Sequence, residues 1–157
     1  MQRSLPAYAI ALTVAASTVF AASQITPGPY DGAIKARQSH MQLNAFNIGV
    51  LAGMAKGKIE YNAEAAANAA SNLNALANLH GGNYWPEGSD SVANQNTNAL
   101  PAIWQNFPDF ASKAKALKVA TAQMDMVAGN GLDALKGQIK AVGGACGGCH
   151  KVYRQSE

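Results

Sequence analysis

The chain has 157 residues, the size of a single core, with 48% hydrophobic residues and only 13% charged ones. Twelve Lys and Arg against nine Asp and Glu leave a formal charge of +3, too little to mark a binder of nucleic acid or of an acidic membrane. Alanine abounds, proline is confined to a few places and β-branched clusters are nearly absent, so an all-α fold is expected and a sheet-based one is not.

The N-terminus shows Arg3, then an apolar run from Ala7 to Ala16, then small residues around Val19-Phe20-Ala21. That layout is a secretory signal peptide, and the run is too short and too rich in alanine for a good membrane span. Residues 1–21 are therefore read as a cleavable signal, with the cut as late as residue 23, and residues 22–157 as one exported domain. The expected compartment is the periplasm.

Four helical segments follow, each marked by its punctuation. The first runs from about Gly32 to Lys56, with Asp31 as N-cap and Gly57 as stop. Within it Ile34, Met41 and Ile48 recur every seven residues with Arg37, Ala45 and Ala52 interleaved, a seam that faces other helices of a bundle. Leu43, Val50 and Met54 form a second apolar strip, offset around the helix, for the second helix or a partner subunit. The second segment starts at the Asn62 cap, carries Glu64 in its first turn and ends at His80-Gly81-Gly82. A connection rich in Gly, Pro and Asn spans 82–98, and loops of that length in compact domains are often functional. The third segment begins near Pro101, is split near Pro108-Asp109 and stops at Gly129-Asn130-Gly131. The fourth runs from Leu132 to about Arg154. Short connections between the first and second, and the third and fourth, imply antiparallel neighbours and hence an up-down four-helix bundle.

The fourth segment holds Cys146-Gly147-Gly148-Cys149-His150, and C-x-x-C-H is the attachment signature of c-type haem. Two thiols about one helical turn apart can each add to one vinyl group of the same porphyrin, and the next residue presents an imidazole to the iron. Cys146 and Cys149 are therefore expected to form thioethers and His150 to be the axial ligand. A thioredoxin-like pair should open a helix after a strand, and no strand pattern precedes Cys146. A zinc site needs four ligands, for which only His40 and His80 remain. A disulfide between the two cysteines would close too small a loop to stabilise much. Haem attachment to this motif in bacteria takes place outside the cytoplasmic membrane, so the signal peptide and the motif predict one another.

Arg37-Gln38-x-x-Met41, Trp85-Pro86-Glu87-Gly88-Ser89, Ala102-Ile103-Trp104 and Cys146-x-x-Cys149-His150-x-x-Tyr153-Arg154 together resemble cytochrome c′, the class II c-type cytochromes. The likeness covers essentially the whole exported domain, and the C-terminal place of the haem motif separates it from class I. The resemblance implies one haem c per chain in the bundle core near one end, with His150 as fifth ligand and no protein ligand on the sixth side. It implies that Arg37 and Gln38 contact a haem propionate, a role a guanidinium suits because its fork can bond both carboxylate oxygens. Glu87 and Ser89 would border the haem edge, Arg154 the proximal pocket, and members of the family are often homodimers built through the first two helices.

Met41 decides the chemistry. The resemblance implies either an apolar cover over the open iron face or, as in a low-spin branch of the class, a thioether ligand that raises the potential and closes the site. Arg37-Gln38 and the Pro86-Glu87-Gly88-Ser89 loop favour the first. An open ferrous iron under an apolar cover favours NO and CO over O₂, which gains from a distal donor. His40 is read as a polar residue flanking the seam, His80 as a capping or surface group, and Trp104 and Tyr153 as core aromatics. Two functions stay open: a gas-binding haem protein with electron transfer as a second capacity, and a pure electron carrier closed by Met41. No acid/base constellation beside the expected iron site speaks for an enzyme.

Overall fold

The computed structural model describes residues 28–156, and the signal-peptide reading of residues 1–21 lies outside them. Helices α1 (Asp31–Ala55), α2 (Ala63–Ala77), the single-turn α3 (Ala102–Gln105), α4 (Phe107–Val127) and α5 (Leu132–Tyr153) carry the fold, with a 3-10 turn at Gly81–Tyr84. The four long helices form a ring of neighbours: α1 packs on α2, α2 on α4, α4 on α5, and α5 back on α1. Polar side chains stitch the seams, with Asn72 bonded to Asn47 across α1 and α2, and Asn74 to Asp125 across α2 and α4. Across α4 and α5, Gln138 reaches the Ala120 carbonyl while Tyr153 reaches Asp109, so these helices run in opposite directions. The expected antiparallel four-helix bundle is the fold.

Helix ends follow local chemistry. Asn62 caps α2 as expected, its side chain accepting from the Ala65 amide at 2.8 Å. Asp31 is not the cap of α1. Tyr30 holds that place, and Asp31 lies in the first turn, where an acid suits the positive end of the helix and its Oδ2 accepts from the Gly28 amide at 2.7 Å. α2 stops at Ala77, short of His80, because Asn78 folds its side-chain amide back onto the Asn74 carbonyl at 2.8 Å. The expected split of the third segment falls at Asn106, and Pro108 sits in the first turn of α4, where a missing N–H is harmless. Gly131 takes φ 121°, which lets the chain turn directly from α4 into α5.

The core has two parts. The larger, built on Leu51, Met54, Leu73, Met124, Leu135 and Val142 with alanines of α2, lies toward the two short turns. Tyr61 joins those turns, its hydroxyl donating to the Ala128 carbonyl and accepting from the Gly131 amide, both at 2.9 Å. The second part unites Ile103, Phe110 and Tyr153, with Trp85, Trp104 and Cys149 packed against it. On α1 the expected strips are redistributed. Met54 is buried in the core and Val50 packs on it, whereas Leu43 and Phe46 are exposed. Ile34 and Arg37 are buried, but Ala45 is exposed, because 3.6 residues per turn carry the buried line onward to Asn47, Leu51 and Met54 instead of a strict heptad.

Candidate haem site

The buried face of α5 runs from Leu135 through Val142 to Tyr153, and Cys146 and Cys149 lie between them at spacings that keep one side of the helix. Both thiols are half-buried and free of any disulfide. Burial pushes both above the usual thiol range, partly opposed at Cys149 by the charge of Lys113. Neutral thiols in the C-terminal half of a helix are the reverse of a redox-active pair, whose thiolate is favoured at a helix N-terminus. Ala145, just ahead of the motif, packs with the larger core cluster and Cys149 with the second, so this stretch of α5 spans the two. His150 lies in the last turn. The residue is exposed overall, and partial burial of its ring, and then the positive charge of Arg154, lower its pKa below the usual histidine value, which favours the neutral imidazole that a metal takes as ligand.

Across from this face stands α1. Ala52, Ala55 and Lys56 share a groove of about 450 Å³ with Lys136, Ile139 and Lys140, which sets the register of the two antiparallel helices. Both rise equally per residue, so moving on along α5 from Lys140 moves back along α1 from Ala52, and the Cys146–His150 stretch comes level with Gln42 to Phe46. Met41 borders that level, on the side of α1 that carries Ile34 and Ile48, and is 41% exposed where Ile34 is 2% exposed. Two thiols and an imidazole on one helix, an apolar cluster on either side and a thioether across the way fit a haem. Among the described residues no group of three or more His, Cys, Asp or Glu could hold a metal unaided. A porphyrin brings the equatorial ligands itself.

Arg37 organises the long loop. It is 3% exposed, with Nη1 donating to the Tyr84 carbonyl at 3.2 Å and to Ser89 Oγ at 2.7 Å. Nη2 donates to the Ser89 carbonyl and to Thr97 Oγ1, the latter at 2.8 Å. The guanidinium lies 4.9 Å from the centre of the Trp85 ring, a cation–π contact. Burial lowers its pKa and Asp90 opposes the shift. Asp90 is itself held below the carboxylate range, first by the Ala93 amide and least by Arg37.

Two paths lead from this clamp to the haem motif. Trp85 meets Phe110 at 4.8 Å and Phe110 meets Tyr153 at 5.4 Å, inside the cluster that holds Cys149. Beyond Thr97, Ala99 pairs with Arg154 in an antiparallel bridge, Leu100 N donates to the Tyr153 carbonyl at 3.0 Å, and Gln155 N donates to the Asn98 carbonyl at 2.8 Å. The Tyr153 hydroxyl donates to Asp109 Oδ2 at 2.6 Å, a bond that, ahead of burial, pushes its pKa up to about 12. Asp109 also pairs with Lys113 at 3.6 Å.

The sequence-predicted residues therefore fall into groups. Cys146, Cys149 and His150 share α5, with Arg154 exposed at its C-cap. Arg37 and Ser89 meet in the clamp, and Gln38 joins the same loop through Nε2 to the Asn96 carbonyl at 2.6 Å. Glu87 is exposed on that loop. Thr97 and Trp85 as partners of Arg37, and Asp109 as partner of Tyr153, escaped the sequence reading. The available signal was Arg37 itself, since a cation on an apolar seam requires polar cover. His80 is exposed, whereas His40 is half-buried against the Tyr84 ring at 6.1 Å.

The family model for cytochrome c′ matches residues 32–154. The chain belongs to the cytochrome c′ family. It is similar to cytochrome c-554 of Cereibacter sphaeroides, at 40% identity over 157 residues and 99% of each chain. It is also similar to a cytochrome c′ of that organism, at 35% identity over 77% of this chain and 81% of the other. A Rhodobacter cytochrome c′ structure superposes with a TM-score of 0.80 at 32% identity, covering 83% of this chain and all of that one. Two other cytochrome c′ structures, a nitric oxide complex of an Alcaligenes xylosoxidans variant and one described by ligand-controlled dimer dissociation, give TM-scores of 0.71 and 0.75. They share 26% and 28% identity, covering 81% and 83% of this chain and 96% and 100% of their own. This chain is thus an electron-carrying haem protein of that family, with haem c as its covalent cofactor. No helix among the described residues is long and apolar enough to cross a membrane.

Proposed function

We propose that the chain is a periplasmic haem c protein whose iron is held by His150 on one side and open to NO and CO on the other, with electron transfer as its second capacity. What supports the reading is the register that sets the Cys146–His150 motif of α5 level with the Met41 region of α1. The haem supplies a redox-active iron with a free coordination position. The chain's own residues do the rest. Cys146 and Cys149 anchor the porphyrin through thioethers, and partial burial followed by the charge of Arg154 lowers the pKa of His150. The four terminal N–H groups of Arg37 are committed to the loop, so it offers a propionate its Nε–H, alongside Gln38. Ser89 shapes the haem edge through Arg37, and Glu87 lines the loop outside it. The role is binding and electron carriage, not catalysis.

Exposed Leu43 and Phe46, at 53% and 71%, mark the outer face of α1 for a homodimer through the first two helices. Sedimentation of the haem-loaded protein tests this, with Phe46→Glu expected to yield monomer. A relative with ligand-controlled dimer dissociation and one solved with nitric oxide support both parts of the reading.

The same register favours one second reading, Met41 Sγ as sixth ligand and a pure electron carrier. The optical spectrum decides. A high-spin ferric form and a ferrous form that shifts promptly with CO support the open iron, whereas sharp low-spin bands indifferent to CO assign the iron to Met41. Cys146→Ala with Cys149→Ala should leave no haem on the denatured chain.

A further inference from the structure

Away from the haem motif, Ala52, Ala55 and Lys56 of α1 and Lys136, Ile139 and Lys140 of α5 line an open groove of about 450 Å³. Ala52, Ala55 and Lys56 share one side of the end of α1, and Lys136 and Lys140 stand one turn apart on α5, so each helix gives the groove a single edge. The two alanines and Ile139 are half-buried and the three lysines are exposed, which makes the floor apolar and the rim cationic. Local chemistry accounts for Lys56, whose charge suits the negative end of α1. It does not account for the three together. Lys136 and Lys140 repel one another at their spacing, and the fold adds Lys56 to the same groove. Among the described residues none of the three is in an ion pair, and exposed Asp133, three residues before Lys136, pairs with no lysine. An anion with an apolar body would relieve the repulsion and cover the floor.

We propose that this groove binds a free amphiphilic carboxylate, a single-chain fatty acid of medium length, with its head among Lys56, Lys136 and Lys140 and its chain over Ala52, Ala55 and Ile139. Size sets the length. At about 30 Å³ per heavy atom, the share of a water molecule in the liquid, the groove takes about fifteen heavy atoms, a chain of about twelve carbons with its carboxylate. Charge sets the head, since an ammonium acts as a point charge and asks of its partner negative charge above all. A two-chain lipid exceeds a floor of three side chains, and a formal charge of +3 on the whole chain is too little to hold it on an acidic membrane. The groove lies about ten residues farther along α1 than the level of Cys146–His150, or about 15 Å. The site is therefore separate from the iron, and it stands whether or not Met41 closes the sixth position.

Titration of the haem-loaded protein with sodium dodecanoate, followed through its amide NMR signals, tests the proposal. Saturable shifts confined to residues 52–56 and 136–140 are expected, and Lys136→Gln with Lys140→Gln should weaken the affinity about tenfold. Both lysines are exposed, so the double variant should fold and keep the haem spectrum of the unaltered protein. The absence of saturable shifts up to about 1 mM dodecanoate, or an affinity the double variant leaves unchanged, overturns the site. Shifts that uncharged dodecanol reproduces overturn the role of the lysines, and shifts that inorganic phosphate alone reproduces overturn the role of the apolar floor. Protein that sediments with phosphatidylglycerol vesicles and then no longer responds to dodecanoate assigns the groove to a lipid surface instead of a free carboxylate.

Discussion

Glycines 143, 144, 147 and 148 line the outside of α5 around the haem motif, and a Cβ built on any of them meets no atom within 4 Å. None takes a positive φ. Gly143, exposed and ahead of the motif, therefore weakens the helix without relieving any crowding, and Gly143→Ala should stabilise the protein by about 0.5–1 kcal/mol. A higher midpoint of urea unfolding checks this, and a lower one contradicts it. Tyr153 gives the pH dependence. Its neutral phenol is the bonded form, and bonding to Asp109 raises its pKa from 10.0 to about 12. The stability it contributes is whole below pH 10 and is lost as pH climbs through 12. Tyr153→Phe should lower stability at pH 8 and flatten its fall between pH 10 and 12, and equal slopes in both proteins would argue against the bond. At this scale Cys146, Cys149 and His150 were legible because covalent attachment demands a fixed local spacing. His40 was not. A polar residue on a helix declares itself only when its neighbours are in place, and the burial of its Nε2, without a partner among the described residues, depends on how α1 meets α2.

Among the elements, the loop between α2 and α3 is irregular yet firmly held, because a buried guanidinium is its anchor. Arg37→Lys keeps the charge but loses the planar fork that serves Tyr84, Ser89 and Thr97 together. The expected cost is about 2 kcal/mol in urea unfolding, with faster amide exchange at Leu100 and Gln155, the far end of the backbone path. Unchanged exchange there would confine the clamp to its immediate neighbours. Sequence alone placed Asn62 at the start of α2, since the capping bond spans three residues. It placed Asp31 one residue off and carried α2 on to His80, because Asn78 breaks the helix with a side-chain bond that a glycine signal nearby obscures. The clamp left no pattern to read, as its acceptors are carbonyls and hydroxyls scattered through a polar loop.

For the molecule as a whole, alanine-rich helices joined by two short turns leave few arrangements other than an antiparallel bundle, which is why the architecture was legible. The division of the core into two clusters with the haem motif between them was not, since it depends on aromatic residues of the long loop meeting the end of α5. That division also sets an order of assembly. The bonds from Arg37 join residues 47 to 60 apart, and closing so wide a loop costs entropy that α4 and α5, meeting across the turn from Ala128 to Gly131, do not face. The helical hairpin is therefore expected to form early and the clamp to close last, on the native side of the barrier. Arg37 consequently governs how fast the finished protein opens and leaves the speed of its formation untouched, so Arg37→Lys should steepen the loss of haem shelter over time without slowing refolding.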